Sequence, residues 1–163
     1  MTLLVPMNPE VFAEVAEASI AGYADDNAAA GLWPRASALE RSRSEFDSLL
    51  PQGLATPDNH WFEIRADADG PRVGHLWFAV QAQRDPRTAF VYNVEILPAH
   101  RRQGHARRAF EALEALAAEM GMARIGLHVF GANAPAQALY RALGFGVTSL
   151  NMSKPLQPTG ACA

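Results

Sequence analysis

The residues most informative about the fold are 93–121, NVEILPAHRRQGHARRAFEALEALAAEMG. A strand-like run ends near Leu97, a short loop rich in arginine follows, and an amphipathic helix begins near Gly104. That helix ends at Gly121, and the run Ile125–Phe130 is typical of a further strand. A strand, a helix and a strand in this order predict one crossover connection between two parallel strands.

The flanking sequence predicts the remaining elements. Upstream we expect a strand at 2–7, helices at about 9–22 and 37–50, an irregular segment between them from Gly22 to Pro34, and strands at about 60–66, 72–81 and 88–97. Downstream we expect a helix from Asn133 to Leu143 and a final strand at Phe145–Met152. The predicted fold class is α/β (α+β), with a mixed, mostly antiparallel central sheet of six to seven strands flanked by four helices.

Length and composition are typical of one soluble domain. The chain has 163 residues, of which 49% are hydrophobic and 19% charged, and this excludes a disordered or collagen-like protein. A net charge of −3 argues against a general nucleic-acid binder, and no run approaches the roughly 18 apolar residues of a membrane span. The single cysteine, Cys162, has no partner for a disulfide. We expect one domain over 1–155, a flexible tail over 156–163, a cytoplasmic location, and neither a membrane nor a nucleic-acid partner.

The loop before the long helix is a candidate anion site. Free backbone N–H groups at a helix start point outward, and the helix dipole favours negative charge there. Gly104 lets the backbone approach a ligand without a Cβ, and Arg101 and Arg102 can add charge-assisted hydrogen bonds. The loop lacks the lysine of a Walker motif and the further glycines of a dinucleotide fingerprint. The alternative is a helix start preceded by glycine, with a solvated arginine cluster.

Two motifs together resemble those of the GCN5-related N-acetyltransferase (GNAT) superfamily. Residues 101–106, RRQGHA, match its pyrophosphate loop Q/R-x-x-G-x-G/A. Residues 133–145, NAPAQALYRALGF, match its block N-x-x-A-x-x-L-Y-x-x-x-G-F. The resemblance covers roughly 88–152, and we expect His105, where the family often carries an apolar residue, to face solvent.

The resemblance implies a GNAT-like fold with acetyl-CoA as co-substrate. In the family the two central strands splay apart and pantetheine lies between them; here those strands are 88–97 and 124–130. Backbone groups of Val94, Ile96 and Leu97 would then bond pantetheine or the thioester oxygen, and Asn133 and Ala136 would contact the donor. The residues expected around the pyrophosphate are Arg101, Arg102, Gln103, Gly104, His105, Ala106 and Arg107.

Glu95 and Tyr140 are the candidate catalytic residues. A lysine-like amine of pKa ~10.4 is neutral in on the order of one molecule in a few thousand at pH 7, and a general base contributes about 10²–10⁴-fold. Glu95, near a strand end beside the presumed anion site, is placed for that task, although a solvated carboxylate is the alternative. The resemblance implies that Tyr140 is the general acid toward the departing thiolate, whereas plain packing is the alternative for this aromatic side chain.

The expected activity is direct, acetyl-CoA-dependent transfer of an acetyl group, through a tetrahedral intermediate, to a primary amine of a small molecule or of a peptide or protein. Trp33 and Glu95 are candidate acceptor contacts, and Trp61 and Trp77 are expected in the core or a pocket wall. The five histidines show no metal-site spacing, so no metal is expected. Alternatives are a non-catalytic acyl-CoA-binding sensor or partner module, and an enzyme for a longer acyl chain. Dimers are frequent among similar proteins, so a homodimer is a further expectation.

Overall fold

The computed structural model describes residues 3–83 and 86–156. Its strands are β1 Leu3–Pro6, β2 Asn59–Arg65, β3 Arg72–Gln81, β4 Thr88–Ile96 and β5 Arg124–Leu127. Its α-helices are α1 Pro9–Ala29, α2 Arg35–Leu49, α3 His105–Glu119 and α4 Ala134–Ala142, with one-turn 3₁₀ helices at Gly53–Ala55 and Pro98–His100. The order of these elements is the predicted one as far as residue 142.

The strands form one sheet in the order β1-β2-β3-β4-β5. The first four strands pair antiparallel with their neighbours, and β5 pairs parallel with β4. Short connections between β2, β3 and β4 impose antiparallel pairing, whereas the crossover through α3 makes β5 parallel. The predictions of a mixed, mostly antiparallel sheet and of four helices are therefore confirmed.

The prediction of six to seven strands is not confirmed, because the described residues form five strands. The predicted final strand, Phe145–Met152, belongs to no helix or strand, and Met152 is 90% exposed. The apolar composition of this segment favours a strand, but a strand also needs a neighbour that accepts its backbone hydrogen bonds. None of the described strands pairs with it. Residues 157–163 of the predicted tail, which include Cys162, lie outside the described residues.

Helix α1 begins as predicted and ends later than predicted. The amide of Glu10 donates to Asn8 Oδ1 at 2.8 Å, which caps the helix start. The prediction of an irregular segment from Gly22 is wrong, since α1 continues to Ala29. A glycine inside a helix costs only about 1 kcal/mol relative to alanine, and packing outweighs that cost. The buried Ser42 hydroxyl of α2 donates to the carbonyl of Ile20 at 2.6 Å and joins the two helices.

Helices cover both faces of the sheet. One face packs against α3 and α4 through a core that includes Ile64, Leu76, Phe78, Phe110 and Leu113. The opposite face packs against α1 and α2 through a second core of Met7, Val15, Leu50, Trp61 and Trp77. The rings of Trp61 and Trp77 stack with centroids 4.7 Å apart, which confirms that these two tryptophans are core residues. The sheet is therefore the middle layer of three.

Candidate functional site

Strands β4 and β5 pair only over the first part of β4. Their parallel register runs from Thr88 opposite Arg124 to Val91 opposite Leu127 and then stops, although β4 continues to Ile96. The other edge of β4 remains paired with β3 as far as Ile96. Within the described residues, positions 92–96 of β4 thus have no strand partner on the β5 side, and we call this opening the β4–β5 gap.

The backbone groups of Val94 and Ile96 face the β4–β5 gap. The amide of Leu97 donates to the carbonyl of Val73 on β3 at 2.8 Å. Successive residues of a strand direct their backbone groups to opposite edges, so Ile96 and Val94 direct theirs away from β3. This orientation suits the pantetheine contacts expected of these two residues, with the Ile96 amide as the available group there, because the Ile96 carbonyl accepts from Arg101 Nε at 2.9 Å. Leu97 differs, because its amide bonds β3 and its carbonyl accepts from His100 at 2.8 Å.

The loop after β4 presents unbonded amides at the start of α3. Gly104 has φ +80° and Arg102 has φ 62°, the left-handed conformation that favours glycine. The hydrogen bond that starts α3 joins the Arg108 amide to the Gly104 carbonyl at 3.2 Å. In the described part of the chain, no acceptor bonds the amides of Arg102, Gln103, Gly104, Ala106 and Arg107. Such a helix start is chemically suited to a pyrophosphate, so the residues present fit the donor.

Two arginine side chains stabilise the loop through hydrogen bonds to backbone carbonyls. Arg101 donates from Nε to the carbonyl of Ile96 at 2.9 Å, and Arg108 donates from Nη2 to the carbonyl of Gln103 at 2.9 Å. The expectation that His105 faces solvent is wrong. Its ring is buried, with Nδ1 3.2 Å from Arg108 Nη2, because the first turn of α3 folds this side chain inward rather than toward water.

Glu95 and Tyr140 lie on opposite faces of the sheet. Glu95 is opposite His75 in the β3–β4 register, on the face where Trp77 packs against α1 and α2. The Tyr140 ring packs edge-on against Phe110 on the other face, with centroids 5.5 Å apart. Burial raises the pKa of the Tyr140 hydroxyl, so it stays protonated near neutral pH, the state that a general acid needs.

The predictions from sequence did not include Asn93 and Ser19, which form a polar pair beside Glu95 on the α1 face. Asn93 Nδ2 donates to Ser19 Oγ at 2.7 Å, and Ser19 Oγ donates to the carbonyl of Val15 at 2.7 Å. These bonds attach β4 to α1. Since side chains two apart on a strand share a face, the position of Asn93 relative to Glu95 was a usable signal.

His75 is a buried histidine with no hydrogen bond to either ring nitrogen within the described residues. Its side chain is 2% exposed and lies between Glu63 on β2 and Glu95 on β4 in the strand register. Burial, followed by the nearby Arg72 guanidinium, lowers its pKa to about 4. A polar residue inside the apolar run of β3 was the signal that could have identified it.

Of the remaining predicted site residues, Trp33 lies on a loop, Asn133 caps α4 and Ala136 lies in its first turn. Trp33 lies on the connection between α1 and α2, with its ring centroid 5.3 Å from that of Tyr23. Asn133 caps α4, where its Oδ1 accepts from the amide of Ala136 at 3.2 Å. Asn133 therefore has a structural role, while the donor contacts expected of Asn133 and Ala136 stay predictions.

Neither a metal-binding group nor a membrane-spanning helix occurs among the described residues. Among residues 3–83 and 86–156, no three His, Cys, Asp or Glu side chains form a group that could hold a metal ion. In the same ranges, no helix combines the length and the apolar character that a membrane span requires.

The sequence and the fold are similar to those of known proteins. The family model described as Acetyltransferase (GNAT) family matches residues 25–145. The uncharacterized N-acetyltransferase YycN of Bacillus subtilis (strain 168) is 34% identical over 154 residues, which cover 94% of this chain and 98% of YycN. The uncharacterized N-acetyltransferase YdgE of the same organism is 31% identical and covers 94% of this chain and 97% of YdgE. The crystal structure of YycN superposes with a TM-score of 0.92 and 33% identity over 97% of this chain and 100% of that one.

The family match spans both motifs and the β4–β5 gap, and the relatives align over nearly the whole chain. The chain is therefore an acetyltransferase that belongs to the GNAT family.

Proposed function

We propose that this protein transfers the acetyl group of acetyl-CoA directly to a primary amine of a small molecule or of a peptide or protein. The observation that carries this proposal is the β4–β5 gap, which opens beside the unbonded amides at the start of α3. Acetyl-CoA, the donor that the GNAT family uses, supplies the acetyl group as an activated thioester. The residues of this chain bind that donor, orient the amine and move protons.

The donor is held mainly by backbone groups. The amides from Arg102 to Arg107 bind the pyrophosphate, since a helix start combines free donors with a favourable dipole. Val94 and Ile96 bond pantetheine from the open edge of β4, as its remaining edge is occupied by β3. Asn133 and Ala136, joined in the α4 cap, line the other side of the gap after β5.

Glu95 removes a proton from the attacking amine. An ammonium has no lone pair with which to attack a thioester, and at neutral pH most alkylamines are protonated. Glu95 lies on the part of β4 that borders the gap, on the face that carries α1 and α2. The amine therefore approaches from the α1–α2 face, where Asn93 and Ser19 add polar groups.

Tyr140 gives a proton to the departing CoA thiolate from the opposite face. Its hydroxyl is protonated at neutral pH, as a phenol ordinarily is, and burial raises its pKa further. The ring is held by Phe110 and Phe145, at centroid distances of 5.5 and 5.6 Å. A thiol of pKa about 8.5 is already a fair leaving group, so this proton assists the reaction without being indispensable.

The test is CoA release from acetyl-CoA in the presence of polyamines, amino acids, aminoglycosides and short peptides with free N-termini. We expect saturable turnover with one of these classes and its loss in Glu95→Gln. Tight binding of acetyl-CoA without an acetylated product from any amine would overturn the proposal in favour of an acyl-CoA sensor. Faster turnover of a longer acyl-CoA would instead correct the identity of the acyl group.

A further inference from the structure

Aromatic rings from three segments meet on the α1–α2 face. Tyr23 of α1 lies edge-on to Trp33, with centroids 5.3 Å apart and an interplanar angle of 85°. Phe130 lies on the connection between β5 and α4, and its ring centroid is 6.5 Å from that of Tyr23. We call these three residues the aromatic cluster. Tyr23 is 41% exposed, so ring surface remains accessible to a ligand.

Carboxylates accompany the aromatic cluster. Burial raises the pKa of the Tyr23 phenol, and the negative charge of Glu45 on α2 raises it further. Asp26 is three residues after Tyr23 on α1 and so lies on the same side of the helix. The positive charges of Arg35 and Arg43 are offset by ion pairs with Asp25 at 3.5 Å and Glu17 at 2.7 Å. The carboxylates beside the cluster therefore suit it to a cation.

The aromatic cluster adjoins the part of β4 that carries Glu95. Ser19, one helical turn before Tyr23, accepts the hydrogen bond from Asn93 at 2.7 Å. This bond holds that side of α1 against β4. Tyr92, next to Asn93, stacks on Trp77 with centroids 4.7 Å apart. Tyr92 and Glu95 are three residues apart, roughly 10 Å along an extended strand.

This arrangement offers two positions for positive charge, one at the aromatic cluster and one beside Glu95. An ammonium over a ring face is attracted by the ring quadrupole, and more strongly so when a carboxylate is close. Resting on the proposed function, we infer that the aromatic cluster and Glu45 bind a second, protonated amine of the acceptor. The acceptor is then an aliphatic diamine or polyamine that extends past Tyr92 and is acetylated at its other amine beside Glu95.

The test compares 1,8-diaminooctane with octylamine, which share an eight-carbon chain long enough to pass Tyr92 and differ by one amine. We expect kcat/KM for the diamine to exceed that for octylamine by about tenfold or more, since a cation paired with aromatic faces and a carboxylate adds binding energy. Glu45→Gln and Trp33→Leu should each lower this ratio several-fold. Glu114→Gln, an exposed glutamate on α3, is the matched control and should keep the ratio.

Equal kcat/KM values for the two amines would overturn the inference and leave the proposed function standing, as would an equal loss of both activities in Glu45→Gln. If neither amine is acetylated while acetyl-CoA binds, the failure concerns the proposed function. Calorimetric binding of 1,8-diaminooctane then decides the inference independently. Binding that weakens about tenfold in Glu45→Gln supports it, whereas absent binding or equal affinities overturn it.

Discussion

The Arg101 guanidinium lies 3.7 Å from a carboxylate oxygen of Glu95, and its Nε also donates to the carbonyl of Ile96 at 2.9 Å. Both side chains are about half exposed, so water screens the pair and its contribution to stability is at most about 1 kcal/mol. The ion pair matters for function, because it connects Arg101, the first residue of the proposed pyrophosphate loop, with Glu95, the proposed base. A bound pyrophosphate would compete with Glu95 for this guanidinium.

Glu95→Gln should lower turnover mainly where the amine is protonated. With a lysine-like amine at pH 7 we expect a loss of about 10²-fold or more, since the variant lacks the general base. The deficit should shrink as the pH rises toward ~10.4, where the free amine supplies its own lone pair. The measurement is the pH–rate profile of both enzymes with one amine. Parallel profiles would contradict the assignment of Glu95 as the base.

Gly104→Val should raise the Kd for acetyl-CoA by about tenfold or more, because it disturbs the helix start that binds the phosphates. The φ of +80° is strained for a side chain, and a Cβ would lie 2.7 Å from Arg108 Nη1. Gly146→Val is the matched control, since nothing lies within 4 Å of its Cβ position. Calorimetric titration with acetyl-CoA measures both. An unaltered Kd in Gly104→Val would place the phosphate site elsewhere.

Tyr140→Phe should slow turnover without abolishing it. We expect roughly a tenfold lower kcat, since a leaving thiol of pKa about 8.5 needs only partial assistance. The ring contacts with Phe110 and Phe145 persist in this variant, so the melting temperature should change little. Steady-state kinetics and thermal unfolding separate the two effects. A kcat equal to that of the unmodified protein would leave Tyr140 with a packing role alone.

His75 should make the free energy of unfolding depend on pH. Its pKa is about 4 in the folded protein and about 6.5 in an unfolded chain. Between these values the unfolded chain binds a proton that the folded protein does not, so stability is highest above pH 6.5 and is lost as the pH falls toward 4. The full loss is on the order of 3 kcal/mol.

Denaturant unfolding of His75→Phe between pH 7 and pH 5 checks this expectation. The variant should lose the part of the pH slope that His75 contributes. The same slope in His75→Phe as in the unmodified protein would show that His75 does not titrate differently on folding.

Local chemistry explains why much of the fold was predictable. Asn8 and Pro9 mark the start of α1, and Gly104 marks the loop before α3, because caps and left-handed turns depend on residues close in sequence. The antiparallel β2–β4 meander and the parallel crossover follow from connection lengths. Both motifs of the candidate donor site are local too, so the unbonded amides before α3 and the Asn133 cap could be anticipated.

Packing decided what local patterns could not. α1 extends past Gly22 because contacts with α2 outweigh the cost of one glycine, and only this extension brings Tyr23 onto the helix beside Trp33. The segment after α4 has a strand-like composition, yet pairing depends on a neighbour that composition does not reveal.

Local sequence patterns are enough to predict the order of the elements as far as residue 142, the family motifs and the residue types at the donor loop, since these depend on interactions within a few residues. The folded arrangement was needed to show that Glu95 and Tyr140 lie on opposite faces of the sheet, that His75 is buried between two glutamate positions, and that Phe130 meets Tyr23. These relationships join residues far apart in the chain. They are set by the register of strands and the packing of helices, which no local pattern contains.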